Sequence, residues 1–338
     1  MNRRLCNCIL FFSSVACFAG CISSNEDEIV VYCALDKEFS DPILEQFETE
    51  SGIKVLAKFD QESNKTVGLA NEIIQLADSQ RCDLFWNNEI LHTLRLKRAG
   101  LLEAYFSPLG KHYPQSFVSI DADWYGFAAR ARVLLVNTDI LSAAEDRPDS
   151  IFDLTDPKWK GQCCLAKPFF GTTASHAAVL YSELGDEKAD AFFNSVAENA
   201  VVQSGNKQVA IAVSRGQYAF GLTDTDDAII EVEQGNPVAI VFPDQSEFQF
   251  GALLIPNTLC ITKGPNRENA RKLLNFLLQK SVEEQLARGS SAQIPLHEES
   301  KLTSRVEPDQ LKVMQVDFEA AAAAWERAKS KLKKIFPL

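Results

Sequence analysis

The sequence predicts an α/β fold with two domains, for three reasons. Its 338 residues exceed one typical domain and suit two. Short β-rich runs alternate with amphipathic helical segments, which is typical of βαβ units and of a mixed, mainly parallel sheet flanked by helices. Two longer apolar segments, 124–137 and 252–262, are expected to be crossing strands or, for the first, a strand pair.

The N-terminal part is expected to form a first sheet with its helices. Strands are predicted at 29–32, 53–59 and 83–86, and helices at 40–51, 67–77 and 89–99. The first helix is expected to begin near Ser40, because Pro42 suits a first helical turn, and to end before Gly52. Ligands of such sheets bind beyond the carboxyl ends of the strands.

The C-terminal part repeats the alternation and ends in a helix rich in Ala and Lys. Strands are predicted at 163–166 and 218–222, a turn with a short helix at 151–159, and longer helices at 172–184, 189–197, 206–214, 267–279 and 317–336. The helix at 267–279 has an apolar stripe of leucines on one face, as expected for packing against a sheet.

The N-terminus resembles a bacterial lipoprotein signal. Arg3 and Arg4 precede an apolar stretch that is too short for a permanent membrane span, and Phe18-Ala19-Gly20-Cys21 follows. We therefore predict a signal peptide at 1–20, lipidation of Cys21, and a polar tether at 21–28 that holds the protein at the periplasmic face of a membrane or at the cell surface. The alternative is an ordinary secretory signal with a cysteine there by chance.

Composition narrows the functional classes. The formal net charge of −12 argues against nucleic acid as a partner and leaves membrane attachment to the lipid. The nine cysteines fall to five beyond Cys21, an odd and scattered set that is not a disulfide framework. Nucleotide-binding, serine-hydrolase and zinc-protease motifs are absent, and no two histidines have metal-binding spacing in the sequence. An enzyme, with or without a cofactor, is the weaker expectation.

An acidic segment follows the predicted strand 218–222. Residues 221–228 read GLTDTDDA and place Asp224, Asp226 and Asp227 within four positions. Adjacent carboxylates repel each other unless a cation or backbone N–H groups compensate, so the cluster indicates a cation site. A solvated turn followed by a helix N-cap explains the same residues without a ligand.

Several segments, taken in order, resemble ferric-ion-type extracellular solute-binding proteins, the ligand-capturing components of bacterial ABC importers. The matching segments are VYCALDKE at 31–38, AGLLE at 99–103, RARVLLVN at 130–137 and GQYAFG at 216–221. The resemblance implies a two-lobed, periplasmic-binding-protein-like fold (type II), with a ligand cleft between the lobes that closes by hinge motion. It implies lobe 1 at 29–125 plus 253–290 and lobe 2 at 126–252 plus 291–338. It also implies a monomer that delivers its ligand to a permease and an ATPase.

The resemblance also indicates where the metal ligands of such proteins would lie. Asp36 stands in place of a histidine, and Asn88 or Glu89 in place of a glutamate. Asp226 and Asp227, with Asp224 nearby, stand in place of paired tyrosines. Oxygen-only ligands suit iron(III), but they also suit other hard metal ions. We therefore expect iron(III) or another hard metal ion as the ligand.

Relatives of this kind often bind carbonate or another oxyanion beside the iron. By position, Arg130, Thr172, Thr173 and Asn206 suit that role, because hydroxyls at helix starts and a fixed guanidinium hold anions well. Ordinary helix capping explains the two threonines equally well.

Two alternatives remain open. The aromatic residues Trp86, Trp124 and Tyr125 would allow an organic cation such as a polyamine or thiamine, held by cation–π contacts, although burial in a strand and at the hinge accounts for the tryptophans. The other alternative is a cell-surface hydrolytic enzyme with an Asp-based site, which lacks a supporting nucleophile or base motif.

Overall fold

The computed structural model describes residues 28–59, 67–79, 81–302, 305 and 310–337. The predicted signal peptide at 1–20, Cys21 and the tether up to residue 27 lie outside this part, and Glu28 already belongs to the first strand. Among the described residues, no helix has the length and apolar character needed to cross a membrane.

The described chain alternates strands and helices. The strands are β1 Glu28–Cys33, β2 Lys54–Phe59, β3 Leu84–Asn87, β4 Leu102–Glu103, β5 Tyr125–Asn137, β6 Cys163–Ala166, β7 Val201–Gln203, β8 Phe220–Asp224, β9 Val238–Val241 and β10 Leu254–Thr262. The helices are α1 Lys37–Ser51, α2 Val67–Gln75, α3 Leu91–Arg98, α4 Gly171–Leu184, α5 Asp186–Asn199, α6 Asn206–Ser214, α7 Thr225–Glu233, α8 Arg267–Leu277, α9 Lys280–Arg288 and α10 Phe318–Ile335.

Strand β5 joins two groups of strands. Its first part pairs with β10, which continues to β3, β1 and β2, and its last part pairs with β8 and β9, after which β6 and β7 follow. We call the first group with its helices lobe 1 and the second group lobe 2. Every pairing that involves β5 or β10 is antiparallel, whereas β1, β2, β3 and β6, β7, β8 pair with one another in parallel. The predicted crossing strands are therefore the source of the mixed topology.

The C-terminal helix α10 contacts both lobes. It packs against α4 and α5 of lobe 2 and against α3 of lobe 1. Lys97 on α3 lies 3.2 Å from the carboxylate of Glu319, and the ring of Phe318 packs near that of Phe117. Assignment of residues 291–338 to lobe 2 stays a prediction.

Several elements differ from the sequence predictions. Helix α1 begins at Lys37, about one turn earlier than predicted, so Pro42 lies inside the helix. Residues 124–137 form one long strand rather than a strand pair. Helix α9 and strand β9 were not predicted. The five described cysteines are buried and free, which agrees with the prediction that they form no disulfide framework.

Candidate cation site between the two lobes

The acidic segment is not a loop. Strand β8 runs to Asp224 and helix α7 begins at Thr225, so Asp226 and Asp227 lie in the first turn of the helix. Asp224 occupies the N-cap position, but its side chain does not cap the helix. Carboxylate oxygens of the three aspartates lie within 4.8 Å of one another. Proximity to the positive end of α7 lowers the cost of placing these charges together.

Asp224 is bound by a buried arginine. Nη1 of Arg132 donates a hydrogen bond of 2.5 Å to Oδ1 of Asp224. The other oxygen, Oδ2, accepts hydrogen bonds from Thr172 Oγ1 at 2.5 Å and Asn206 Nδ2 at 2.8 Å. Arg132 is fully buried and Asp224 is 4% exposed. The contacts of Asp224 are therefore those of a buried ion pair, which argues against its use as a direct metal ligand.

Asp226 is positioned by a second arginine on the same strand. Nε of Arg130 lies 3.3 Å from Oδ2 of Asp226, whose side chain remains 19% exposed. Burial raises the pKa of Asp226, and the charges of Asp224 and Asp36 act in the same direction, while the charge of Arg130 opposes them. The charge of Asp36, a lobe 1 residue that precedes α1, therefore acts on the ionisation of Asp226 in lobe 2.

Lobe 1 brings Asn88 to the same site. Its backbone carbonyl accepts a hydrogen bond of 2.9 Å from Nη1 of Arg130. Its side-chain Oδ1 is buried and has no hydrogen-bond partner among the described residues. A buried amide oxygen without a donor carries a desolvation cost, which a bound cation would remove.

Both carboxylate oxygens of Glu89 are occupied by hydrogen bonds from other residues. One oxygen accepts hydrogen bonds from Asn87 and His92, and the other from Leu91 N and from Ser175 Oγ on α4. Burial acts to raise the pKa of Glu89, but the charge of His92 and these hydrogen bonds hold it below its usual value. Of the two residues that the sequence left as alternatives, Asn88 is the one next to Arg130, and Glu89 connects α3 to lobe 2.

Three of the four predicted anion-binding residues contact carboxylates of the protein itself, and the fourth, Thr173, contacts one of these three. Thr172 and Asn206 bind Asp224, Thr173 Oγ1 donates to Asn206 at 3.1 Å, and Arg130 contacts Asp226. Sequence reasoning overlooked Arg132. The available signal was its position two residues after Arg130 on one strand, which places both guanidinium groups on the same face.

The aromatic residues near the site are packed in the core. Trp86 is fully buried and its ring lies 5.4 Å from that of Phe127. Trp124 is 4% exposed, and the hydroxyl of Tyr125 donates to the carbonyl of Tyr105. These rings therefore present no open face for an organic cation.

Ser175 and His176 are neighbours in the sequence, a pair of residue types that can act together in hydrolysis, but their side chains have separate environments. Burial, together with the charge of Arg132, lowers the pKa of His176 to about 3, so the imidazole is neutral at physiological pH. The Ser175 hydroxyl donates to Glu89. Hydrolysis by these residues has no geometric support.

The family is decided by the match over most of the described fold. Residues 71–321 match the model of the bacterial extracellular solute-binding proteins. The chain belongs to this family. Members are solute-binding proteins rather than enzymes, and the predicted two-lobed, type II fold agrees with this assignment.

Among solute-binding proteins, this one is similar to relatives with different ligands. It is 26% identical over 280 residues to iron uptake protein A1 of Synechocystis, covering 78% of this chain and 75% of that one. The ferric binding protein from Campylobacter jejuni superposes with a TM-score of 0.82 at 21% identity, covering 91% and 99% of the two chains. The periplasmic binding protein AfuA from Actinobacillus pleuropneumoniae, solved with fructose-6-phosphate bound, superposes with a TM-score of 0.76 at 24% identity, covering 91% and 97%. These likenesses establish the fold that the solute-binding protein shares with them.

Proposed function

We propose that this solute-binding protein captures a hard metal ion, with iron(III) as the first candidate, and delivers it to the permease and ATPase of an ABC importer. The observation that carries the proposal is the cluster of Asp226 and Asp227 carboxylates at the start of α7, beside an arginine that also contacts Asn88, whose buried Oδ1 has no hydrogen-bond partner among the described residues. The names of two relatives, iron uptake protein A1 and ferric binding protein, support iron as the cargo.

The proposed ligand set is Asp36, Asn88, Asp226 and Asp227. Carboxylate and amide oxygens are hard donors, which suit iron(III), manganese or calcium and offer little to soft metals. Glu89 and Asp224 are not in the set, because their oxygens accept several hydrogen bonds within the protein.

Charge balance is compatible with both divalent and trivalent ions. Asp36, Asp226 and Asp227 bring three negative charges, and Arg130 brings one positive charge, so the cluster carries −2 when it is fully ionised. A divalent ion would make it neutral and iron(III) would leave +1. With either ion bound, the electrostatic repulsion within the cluster is smaller than in the empty site, where the carboxylates repel one another.

Membrane attachment by lipid at Cys21 is part of the proposal. The short apolar stretch before Cys21 supports a lipoprotein held at the periplasmic face of a membrane or at the cell surface. Replacing Cys21 by Ser should move the protein from the membrane fraction to the soluble fraction. Retention in the membrane fraction would contradict lipid attachment.

Metal analysis combined with calorimetry tests the cargo. Protein purified without chelators should contain iron or another hard metal, and the stripped protein should give binding heat with that metal at a stoichiometry of one. Spermidine, thiamine and fructose-6-phosphate serve as comparison ligands and should give none. Heat with an organic ligand and none with metals would overturn the proposal.

A further inference from the structure

The carboxylate of Asp224 occupies a position that suits a small anion. Helix α4 begins at Gly171 and helix α6 begins at Asn206, and both first turns supply a side chain that donates to Oδ2 of Asp224. Helix N-termini are positive, so two of them and the Arg132 guanidinium converge on one carboxylate. The anion held at this point is the carboxylate of Asp224 itself.

We propose that Asp224 is the built-in counter-anion of the cation site, so that the cargo ion binds without a companion oxyanion. This inference rests on the proposed metal-binding function and specifies its ligand class. The cargo is a bare hard cation, and neither a metal–oxyanion pair nor a solute with a phosphate group fits.

The strand register fixes this arrangement. Arg132 on β5 lies directly opposite Asp224 on β8. The pair is therefore set by the sheet and does not depend on a mobile loop. Asp224 lies within 4.8 Å of the carboxylates of Asp226 and Asp227, close enough for its charge to act on a cation that they bind.

The guanidinium of Arg130 also has a carboxylate of the protein beside it. Arg130 lies beside Asp226, and its Nη1 and Nη2 groups donate to the carbonyl of Asn88 and to Oδ1 of Asn257. Each arginine on this face of β5 thus has a carboxylate of the protein as its partner. An external oxyanion that took the place of either carboxylate would leave a buried aspartate charge without compensation.

Removal of the Asp224 charge should create a requirement for an anion. Nε and Nη2 of the fully buried Arg132 have no partner among the described residues, so Asp224→Asn leaves that guanidinium without a counter-charge. In that variant we expect a small oxyanion such as bicarbonate to bind at Arg132 and compensate its charge. The double variant Arg132→Met plus Asp224→Asn removes both charges and should lose this requirement.

The test measures metal affinity in chloride buffer with and without added bicarbonate or phosphate. The probes are Mn²⁺ by calorimetry and Fe³⁺ by transfer from its nitrilotriacetate complex. The wild-type affinity should be the same in all buffers. Asp224→Asn should bind roughly tenfold more weakly without an anion and recover when bicarbonate is added, and the double variant should be weak and insensitive to anions. Asp244→Asn, which changes another buried aspartate of lobe 2, is the matched control and should behave as wild type.

Wild-type affinity that rises with bicarbonate or phosphate would overturn the inference, even if no variant folds. So would a folded Asp224→Asn protein with wild-type affinity and no response to anions. Failure of the wild type to bind either metal in any buffer would overturn the proposed function and this inference with it, whereas metal binding that requires an anion would overturn only the inference.

Discussion

The hydroxyl of Ser175 donates a hydrogen bond of 2.7 Å to Oε2 of Glu89, and this bond crosses the cleft between lobe 2 and lobe 1. Nearby, Nη1 of Arg130 on the shared strand donates to the carbonyl of Asn88 in lobe 1. The two lobes therefore contact each other beside the proposed ligand residues. We therefore expect exchange of ligand to require the Glu89–Ser175 bond to break.

Replacing Ser175 by Ala should favour the open arrangement. A hydrogen bond to a charged group contributes about 1.5 to 3 kcal/mol, and part of this is recovered by water when the cleft opens. Metal affinity should fall about fivefold to tenfold, mainly through faster dissociation, which stopped-flow measurements report. Ser182→Ala on the same helix is the control and should leave the dissociation rate unchanged. An equal rate in both variants would show that the bond does not hold the cleft closed.

Asp226 and Asp227 should differ in their effect on stability. Replacing Asp226 by Ala leaves the buried guanidinium of Arg130 without its carboxylate, so the unfolding free energy should fall by about 3 kcal/mol. Asp227→Asn retains the Asp226–Arg130 contact and should leave the melt close to wild type. Thermal denaturation of the stripped proteins measures both. Equal melting temperatures would mean that the buried guanidinium of Arg130 does not need the Asp226 carboxylate for the stability of the fold.

Metal affinity should weaken on acidification sooner than ordinary aspartates would cause. The pKa of Asp226 is raised by burial, aided by the charges of Asp224 and Asp36, so its proton competes with the metal at a higher pH than usual. Titrations at successive pH values should show this loss in the wild type. Asp226→Asn, whose amide does not titrate, should bind weakly with a flatter pH profile. An unchanged profile would assign the pH dependence to another group.

Glu283 should make stability depend on pH. Its carboxylate accepts hydrogen bonds from Ala128 N, Leu296 N and His297 N, but burial outweighs these donors and raises its pKa from 4.5 to about 7. Because the folded chain binds this proton more tightly, the stabilisation is fully present below pH 4.5 and is lost as the pH rises through 7. The effect is on the order of 3 kcal/mol.

Glu283→Gln removes that titration. Unfolding by urea at intervals between pH 4.5 and 7 should give a flatter stability profile for this variant than for the wild type. Ala128, one partner of Glu283, has a positive φ of 42° beside the irregular β5–β10 pairing. Glu283 therefore stabilises a bulge in the crossing strand. A profile as steep as that of the wild type would place the titrating group elsewhere.

The fold was predictable where the signal was local. The apolar residues of β5 and the helical periodicity around α4, α6 and α8 identified these elements to within a few residues. The start of α1 was missed because Pro42 was placed in the first turn, whereas the helix begins at Lys37 and accommodates the proline in its interior. Local sequence patterns do not reveal such tolerance.

The site was predictable only in part, because its pairings are not local. Asp226 and Asp227 were identified as a cluster, but the pairing of Asp224 with Arg132 depends on the register between β5 and β8. The choice between Asn88 and Glu89 depends on the direction of two adjacent side chains after β3. Ser175 and Glu89 are 86 positions apart in the sequence, and their hydrogen bond depends on how the two lobes pack in the folded chain.

The most direct test of the account is a calorimetric titration of the stripped wild-type protein and of Asp227→Asn with the same hard metal ion, Mn²⁺ or Fe³⁺ delivered from nitrilotriacetate. The wild type should bind one ion per chain, and the variant, with an unchanged melt, should show an affinity at least tenfold lower because one carboxylate ligand has been neutralised. Equal affinity for the two proteins would contradict the proposal that the carboxylates at the start of α7 hold the cargo.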